Sequence, residues 1–223
     1  MVVSNDEKEL HVIAILDYRA GNLTSVARAL SFLGFHCDIT DSHEVIRNAE
    51  RIIFPGVGAA GKSMDNLKEL GLDVMLRERL AAGIPVLGIC VGLQVLFDYS
   101  AENDTQCLAI LPGQVRLFPS GMHNKNGEVL KIPHMGWNRV AFEPGHPVFD
   151  GIPSQSEFYF VHSYYPDPRN PEHVAGKTEY GIDFASAVAS QNLVAVQFHP
   201  EKSGPPGLRI LRNFCERNGK SSF

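Results

Sequence analysis

Ile84-Pro85-Val86-Leu87-Gly88-Ile89-Cys90 is an uncharged apolar run entered through a proline, and Val91-Gly92-Leu93-Gln94 continues it without a charge. Such a run suits a strand buried on both faces, which is the habit of a parallel strand inside a covered sheet. Leu93, Leu96 and Phe97 then recur at the spacing of a helix packing back onto that sheet. Working outward, Arg51 to Phe54 reads as a second buried strand halted by Pro55-Gly56. Leu67, Leu70, Val74 and Leu80 mark one face of a helix ending near Gly83. Leu10 to Leu16 is a third apolar run, followed by Leu23, Val26, Ala27, Leu30 and Leu33 at helical spacing up to Gly34, with a short strand over Cys37 to Ile39. Strands alternating with helices predict an α/β fold: an open, mostly parallel sheet flanked by helices.

The second half changes character. Gln114 to Phe118, Asn138 to Phe142, Glu157 to Val161, Ala185 to Ala189 and Leu193 to Phe198 read as short strands between Gly, Pro and Asn punctuation, several of them antiparallel. Pro205 to Arg217 closes as a helix with Leu208, Leu211, Phe214 and Cys215 inward. With no repeat or linker in view, residues 10–217 are expected to form a single domain, with polar extensions at 1–9 and 218–223. Twenty Lys and Arg against 25 Asp and Glu leave a net charge of −5, which gives no basic surplus for a phosphate backbone, so no nucleic-acid partner is expected. The four cysteines are spaced too widely for a zinc or C-x-x-C site, so neither a metal nor a cofactor is expected. No apolar segment reaches membrane-spanning length, and the acidic start lacks the pattern of a signal peptide, so a reduced, cytoplasmic protein is expected.

Three stretches carry chemistry. Gly88-Ile89-Cys90-Val91-Gly92 sits between a predicted strand and a predicted helix, where flanking glycines permit the tight turn of a nucleophile elbow. A helix N-terminus facing Cys90 would activate the thiol, and the Val91 N–H would face an oxyanion. The same residues also suit an inert, buried cysteine. In Gln197-Phe198-His199-Pro200-Glu201, residues two apart on an extended strand share a side, which lets Glu201 orient His199 as a base. Pro55-Gly56-Val57-Gly58 follows a strand, and its glycines let backbone N–H groups of Val57 or Gly58 turn toward a ligand; an ordinary turn would read alike.

Taken together, these motifs resemble the class I, triad-type glutamine amidotransferases from Ile13 to Phe214. The likeness is strongest to the branch that serves imidazole glycerol phosphate synthase, on Asp17-Tyr18-Arg19-Ala20-Gly21-Asn22-Leu23, Pro55-Gly56-Val57-Gly58-Ala59, His134-Met135-Gly136-Trp137-Asn138, Tyr159-Phe160-Val161-His162-Ser163-Tyr164 and His199-Pro200-Glu201-Lys202-Ser203-Gly204. The resemblance implies a Cys90-His199-Glu201 triad acting on glutamine, with oxyanion donors at Val57, Gly58 and Val91. It also implies substrate contacts at Gln94 and around His162, Ser163 and Tyr164. Its partner would be a (β/α)8-barrel cyclase subunit docking near Asn22, Trp137, Tyr159 and Lys202, although Trp137 suits a core equally well. Arg19 departs from the family's usual glycine, which puts the shape of that loop in question. A glutaminase serving another synthase, a solitary γ-glutamyl hydrolase and an inactive interaction subunit remain the alternatives.

Overall fold

A computed structural model describes residues 12–216 of the chain. The extensions read at 1–9 and 218–223, and the Leu10 start of the first apolar run, lie outside the described residues. The first half runs β1 (Ile13–Leu16), α1 (Leu23–Phe32), β2 (Cys37–Thr40), α2 (His43–Asn48), β3 (Arg51–Gly56), α3 (Ala60–Glu69), α4 (Leu72–Ala81), β4 (Val86–Cys90) and α5 (Val91–Gln94). The second half adds β5 (Tyr99–Ser100), β6 (Thr105–Gln106), β7 (Gly113–Leu117), β8 (His134–Arg139), β9 (Ala141–Phe142), β10 (Glu157–His162), β11 (Tyr164–Pro168), β12 (Val174–Glu179), β13 (Asp183–Ser190), β14 (Leu193–Val196) and α6 (Gly204–Glu216).

One eight-stranded sheet, in the order β2-β1-β3-β4-β14-β13-β12-β9, takes strands from both halves. From β2 to β14 every neighbour is parallel. From β14 to β9 every neighbour is antiparallel. The fold class read from the sequence is thus the one observed. Strands β1, β3, β4 and β14 are buried along their whole length, which is why their sequences are continuous apolar runs rather than alternating ones. Helix α6 buries Ile210, Leu211 and Phe214, each contributing roughly 1.5–3 kcal/mol.

Several expectations need correction. Pro55-Gly56 does not halt β3; the strand continues in parallel register, with Pro55 opposite Ile89 and Gly56 opposite Cys90. The helix expected from Leu67 to Leu80 is two helices, broken where Gly71 takes φ 66, and Val74 is exposed on α4 rather than facing the core. The helix after Cys90 is a single turn, because the carbonyls of Val95, Leu96 and Phe97 turn to accept N–H groups from Leu108 to Leu111. The strand expected over Asn138–Phe142 splits at Val140: β8 pairs with β10 and β9 with β12. Helix α2 and strands β11 and β12 add elements the sequence reading did not contain.

Candidate active site

Cys90 ends β4 in an uncommon backbone conformation, φ 55 and ψ −110, immediately before α5. Its glycine neighbours are what make that turn possible. A Cβ on Gly92 would run into the Phe54 carbonyl oxygen, and one on Gly88 would come within 2.8 Å of the Ala195 methyl. The nucleophile-elbow geometry expected from Gly88 to Gly92 is therefore present, with a non-glycine residue held at positive φ where the sulfur meets the pocket.

A cavity of about 300 Å³ opens beside it, lined by Cys90, Val91, Gln94, His199, Val57, Gly58, Glu102 and the His162-Ser163-Tyr164 stretch, among others. Every residue expected to be catalytic, oxyanion-forming or substrate-contacting lines this cavity except Glu201, which stands behind His199. Gly58 holds φ +96 on the cavity wall, a conformation that suits glycine. His199 Nδ1 and Glu201 Oε1 are 2.9 Å apart, with both side chains buried. Burial disfavours the imidazolium, but the bond to Glu201 and the negative charge of Cys90 and Glu201 nearby outweigh it and lift His199 from its ordinary 6.5 to about 9. The Cys90-His199-Glu201 arrangement can hold a thiolate–imidazolium pair and move a proton between sulfur, nitrogen and a bound amide.

Asn22, read above as a docking residue, also reaches the Glu201 carboxylate: its Nδ2 donates to Oε1 at 2.5 Å, from a backbone held at φ 74. Gln94 is less free to meet a substrate than expected, since its Nε2 already donates to the Tyr164 carbonyl and to Gln197 Oε1. Trp137, Tyr159 and Lys202 do share a surface. Trp137 is 56% exposed and meets Tyr159 edge-on, while the Lys202 ammonium lies 5.9 Å from the Tyr159 ring centre. Trp137 is therefore not a core residue. Arg19 adopts φ 62, the conformation a glycine would take there, with its guanidinium 2.8 Å from Glu69.

Sequence reasoning missed Gln197, whose Nε2 lies 3.7 Å from Cys90 Sγ. The available signal was its place two residues before His199 on one face of an extended segment. It also passed over Glu102, which lines the cavity and accepts the Ala60 N–H at 2.7 Å. Among the described residues, no group of His, Cys, Asp and Glu could hold a metal ion, and no helix is long and apolar enough to cross a membrane.

A cysteine at a strand-to-helix elbow, backed by a buried His–Glu pair on a parallel sheet, has the design of a thiol-nucleophile hydrolase. The chain belongs to the class-I glutamine amidotransferase family, whose model matches residues 14–218. It is 53% identical over 203 residues to the imidazole glycerol phosphate synthase subunit HisH of Nitratidesulfovibrio vulgaris, covering 91% of this chain and 95% of that protein. The HisH 1 subunit of Pseudomonas aeruginosa is 47% identical over 213 residues, covering 95% of this chain and 99% of that protein. Among solved structures, a putative GMP synthase protein from Thermoplasma acidophilum superposes with TM-score 0.69 at 20% identity, covering 92% of each chain. A crystal structure described as a glutamine amidotransferase gives TM-score 0.67 at 22% identity, covering 92% of this chain and 97% of that one.

Proposed function

We propose that this chain is the glutaminase subunit of an imidazole glycerol phosphate synthase in histidine biosynthesis, and that Cys90, His199 and Glu201 are its catalytic triad. The observation that carries the chemistry is the convergence of Cys90 and the His199–Glu201 pair on one cavity, from sequence positions more than a hundred residues apart. Identity near 50% to HisH subunits over nine-tenths of the chain supports the pathway.

In this reading Cys90 attacks the carboxamide carbon of glutamine, and the resulting oxyanion is held by N–H groups of Val91 and of Val57 or Gly58. His199, steered by Glu201, protonates the departing ammonia and then activates water to release glutamate from the thioester. Gln94 and the His162-Ser163-Tyr164 backbone receive the amino-acid end of the substrate. Residues 10–217 act as one domain, a reading supported by the sheet shared between the two halves.

Ammonia set free in water at neutral pH would become ammonium and lose its nucleophilicity, so the reading includes a cyclase subunit, with a (β/α)8 barrel, that takes the ammonia directly. The exposed Trp137, with Tyr159 and Lys202 beside it, supports a docking face there, because half-exposed aromatic residues are the usual anchors of interfaces. The four free cysteines suit a reducing cytoplasm. Glutamate release by the chain alone, and again with the cyclase partner plus its ribulosyl substrate, tests the assignment. Strong activation is expected, with none in Cys90→Ala; activity indifferent to the cyclase would move the chain to another synthase.

A further inference from the structure

Gln197 is fully buried beside Cys90, and no step of the mechanism above uses it. Its Nε2 lies 3.7 Å from Cys90 Sγ, hydrogen-bond distance for the larger sulfur atom. Which end of the amide faces the sulfur is decided by a line of bonds pinned on two backbone carbonyls, which only accept. The Tyr164 carbonyl takes one N–H of Gln94 at 3.1 Å, and the other N–H of the same nitrogen reaches Gln197 Oε1 at 3.0 Å. Gln197 must therefore turn its nitrogen toward Cys90.

The Tyr164 carbonyl also takes the Nδ1–H of His162 at 2.8 Å, which leaves His162 Nε2 to accept from His134 Nδ1 at 3.0 Å. His134 Nε2 then accepts from Asn138 Nδ2 at 3.2 Å, and that nitrogen's second hydrogen goes to the Glu179 carbonyl at 2.9 Å. The line can run in this sense only while both rings are neutral. Burial holds them so, lowering His134 to about 4 and His162 to about 3, the latter helped by the charges His134 and His199 would carry.

We propose that Gln197 is a further catalytic residue of the glutamine-hydrolysing site, its amide N–H donating to Cys90 Sγ and holding the thiolate in its attacking rotamer. His162 and His134 are positioning residues that lock this amide through Tyr164 and Gln94. The inference rests on the reading of Cys90 as the nucleophile. A neutral donor suits this place: the sulfur shares the cavity with His199, which exchanges protons, whereas an amide supports negative charge there without exchanging one.

Gln197→Met removes the donor at nearly constant volume; Gln197→Asn keeps an amide but withdraws it by one methylene. The first readout is alkylation of Cys90 by iodoacetamide on the chain alone, located by mass spectrometry. At pH 7 and at pH 10 alike both variants should react about ten-fold more slowly than wild type, because a rotamer no longer held stays unheld at either pH. In glutamine hydrolysis with the cyclase partner, kcat should fall about ten-fold while KM stays within about two-fold. His162→Leu should show a fall of the same shape, and His162→Gln, which can still donate to the Tyr164 carbonyl, should restore part of it.

Folded variants that react at pH 7 as fast as wild type, or whose deficit disappears at pH 10, would overturn the role of Gln197 in holding the rotamer. The asparagine variant carries the test should the methionine variant fail to fold. Glutamine hydrolysis by Cys90→Ala at the wild-type rate would overturn the nucleophile assignment instead, so the two failures are distinguishable.

Discussion

Lowering the pH from 7 to 5 should loosen the fold through two side chains, His134 and His162. His134 is stacked between Tyr180 and Phe160, with ring centres 3.9 and 4.7 Å away, and it shares its bond with His162. In the unfolded chain each ring takes up a proton at its ordinary 6.5, whereas the fold keeps them neutral down to about 4 and about 3. The unfolded state therefore binds more protons, and the stability they contribute is present above 6.5 and lost as the pH falls toward those lower values. Linkage gives a loss of about 1.8 kcal/mol per histidine between pH 7 and pH 5. His199 works the other way: raised to about 9, its contribution is complete below 6.5 and disappears as pH rises through 9, so it returns about 0.8 kcal/mol over the same interval. The net expectation is a loss of about 3 kcal/mol, read as a lower urea midpoint by far-UV circular dichroism. Equal midpoints at pH 7 and pH 5, or ring protons of either histidine titrating near 6.5 in the folded protein, would refute the reasoning.

Asn22→Gly keeps the left-handed backbone but removes the amide from Glu201; kcat for glutamine hydrolysis should fall about ten-fold with the melting temperature little changed. Glu201→Gln removes the charge that orients and supports His199, and a fall of at least about a hundred-fold in kcat is expected in steady-state assays. Gly92→Ala drives a methyl group into the Phe54 carbonyl, and thermal unfolding should register a destabilisation of about 3 kcal/mol. Arg19→Gly trades relief of a strained φ against a more flexible unfolded chain and an exposed ion pair, so denaturation should find a change below about 1 kcal/mol.

Legibility of the fold followed burial. Strands β1, β3, β4 and β14 stand out because both their faces are covered, leaving no polar alternation to confuse with a helix. Strand β11 was opaque because Tyr164-Tyr165-Pro166-Asp167-Pro168 contains two prolines; it tolerates them as the edge of its sheet, bonded on one side to β7. Strand β12 is broken by shifts in register around Gly176, and its sequence mixes small and charged residues. Helix α2 buries only Ile46, too little for an apolar stripe.

The site was legible where a short motif holds the reacting groups, as with His199 and Glu201 two residues apart. Asn22 and Glu201 are 179 positions apart, and nothing local to either predicts their contact. For Gln197 the spacing from His199 signals only a shared face, because the role of a buried glutamine depends on which way its amide points.

Strand β14, the last strand among the described residues, is inserted between β4 and β13 rather than added at a margin of the sheet. Until residues 193–196 are in place, the strand that ends in Cys90 is an open border with an unpaired row of N–H and C=O groups on an entirely apolar ribbon. A C-terminal truncation before this strand would therefore leave a sticky, aggregation-prone half-sheet rather than a smaller stable protein. A nascent chain on the ribosome faces the same exposure until these residues emerge, and the strand that then shields β4 leads directly into His199 and Glu201.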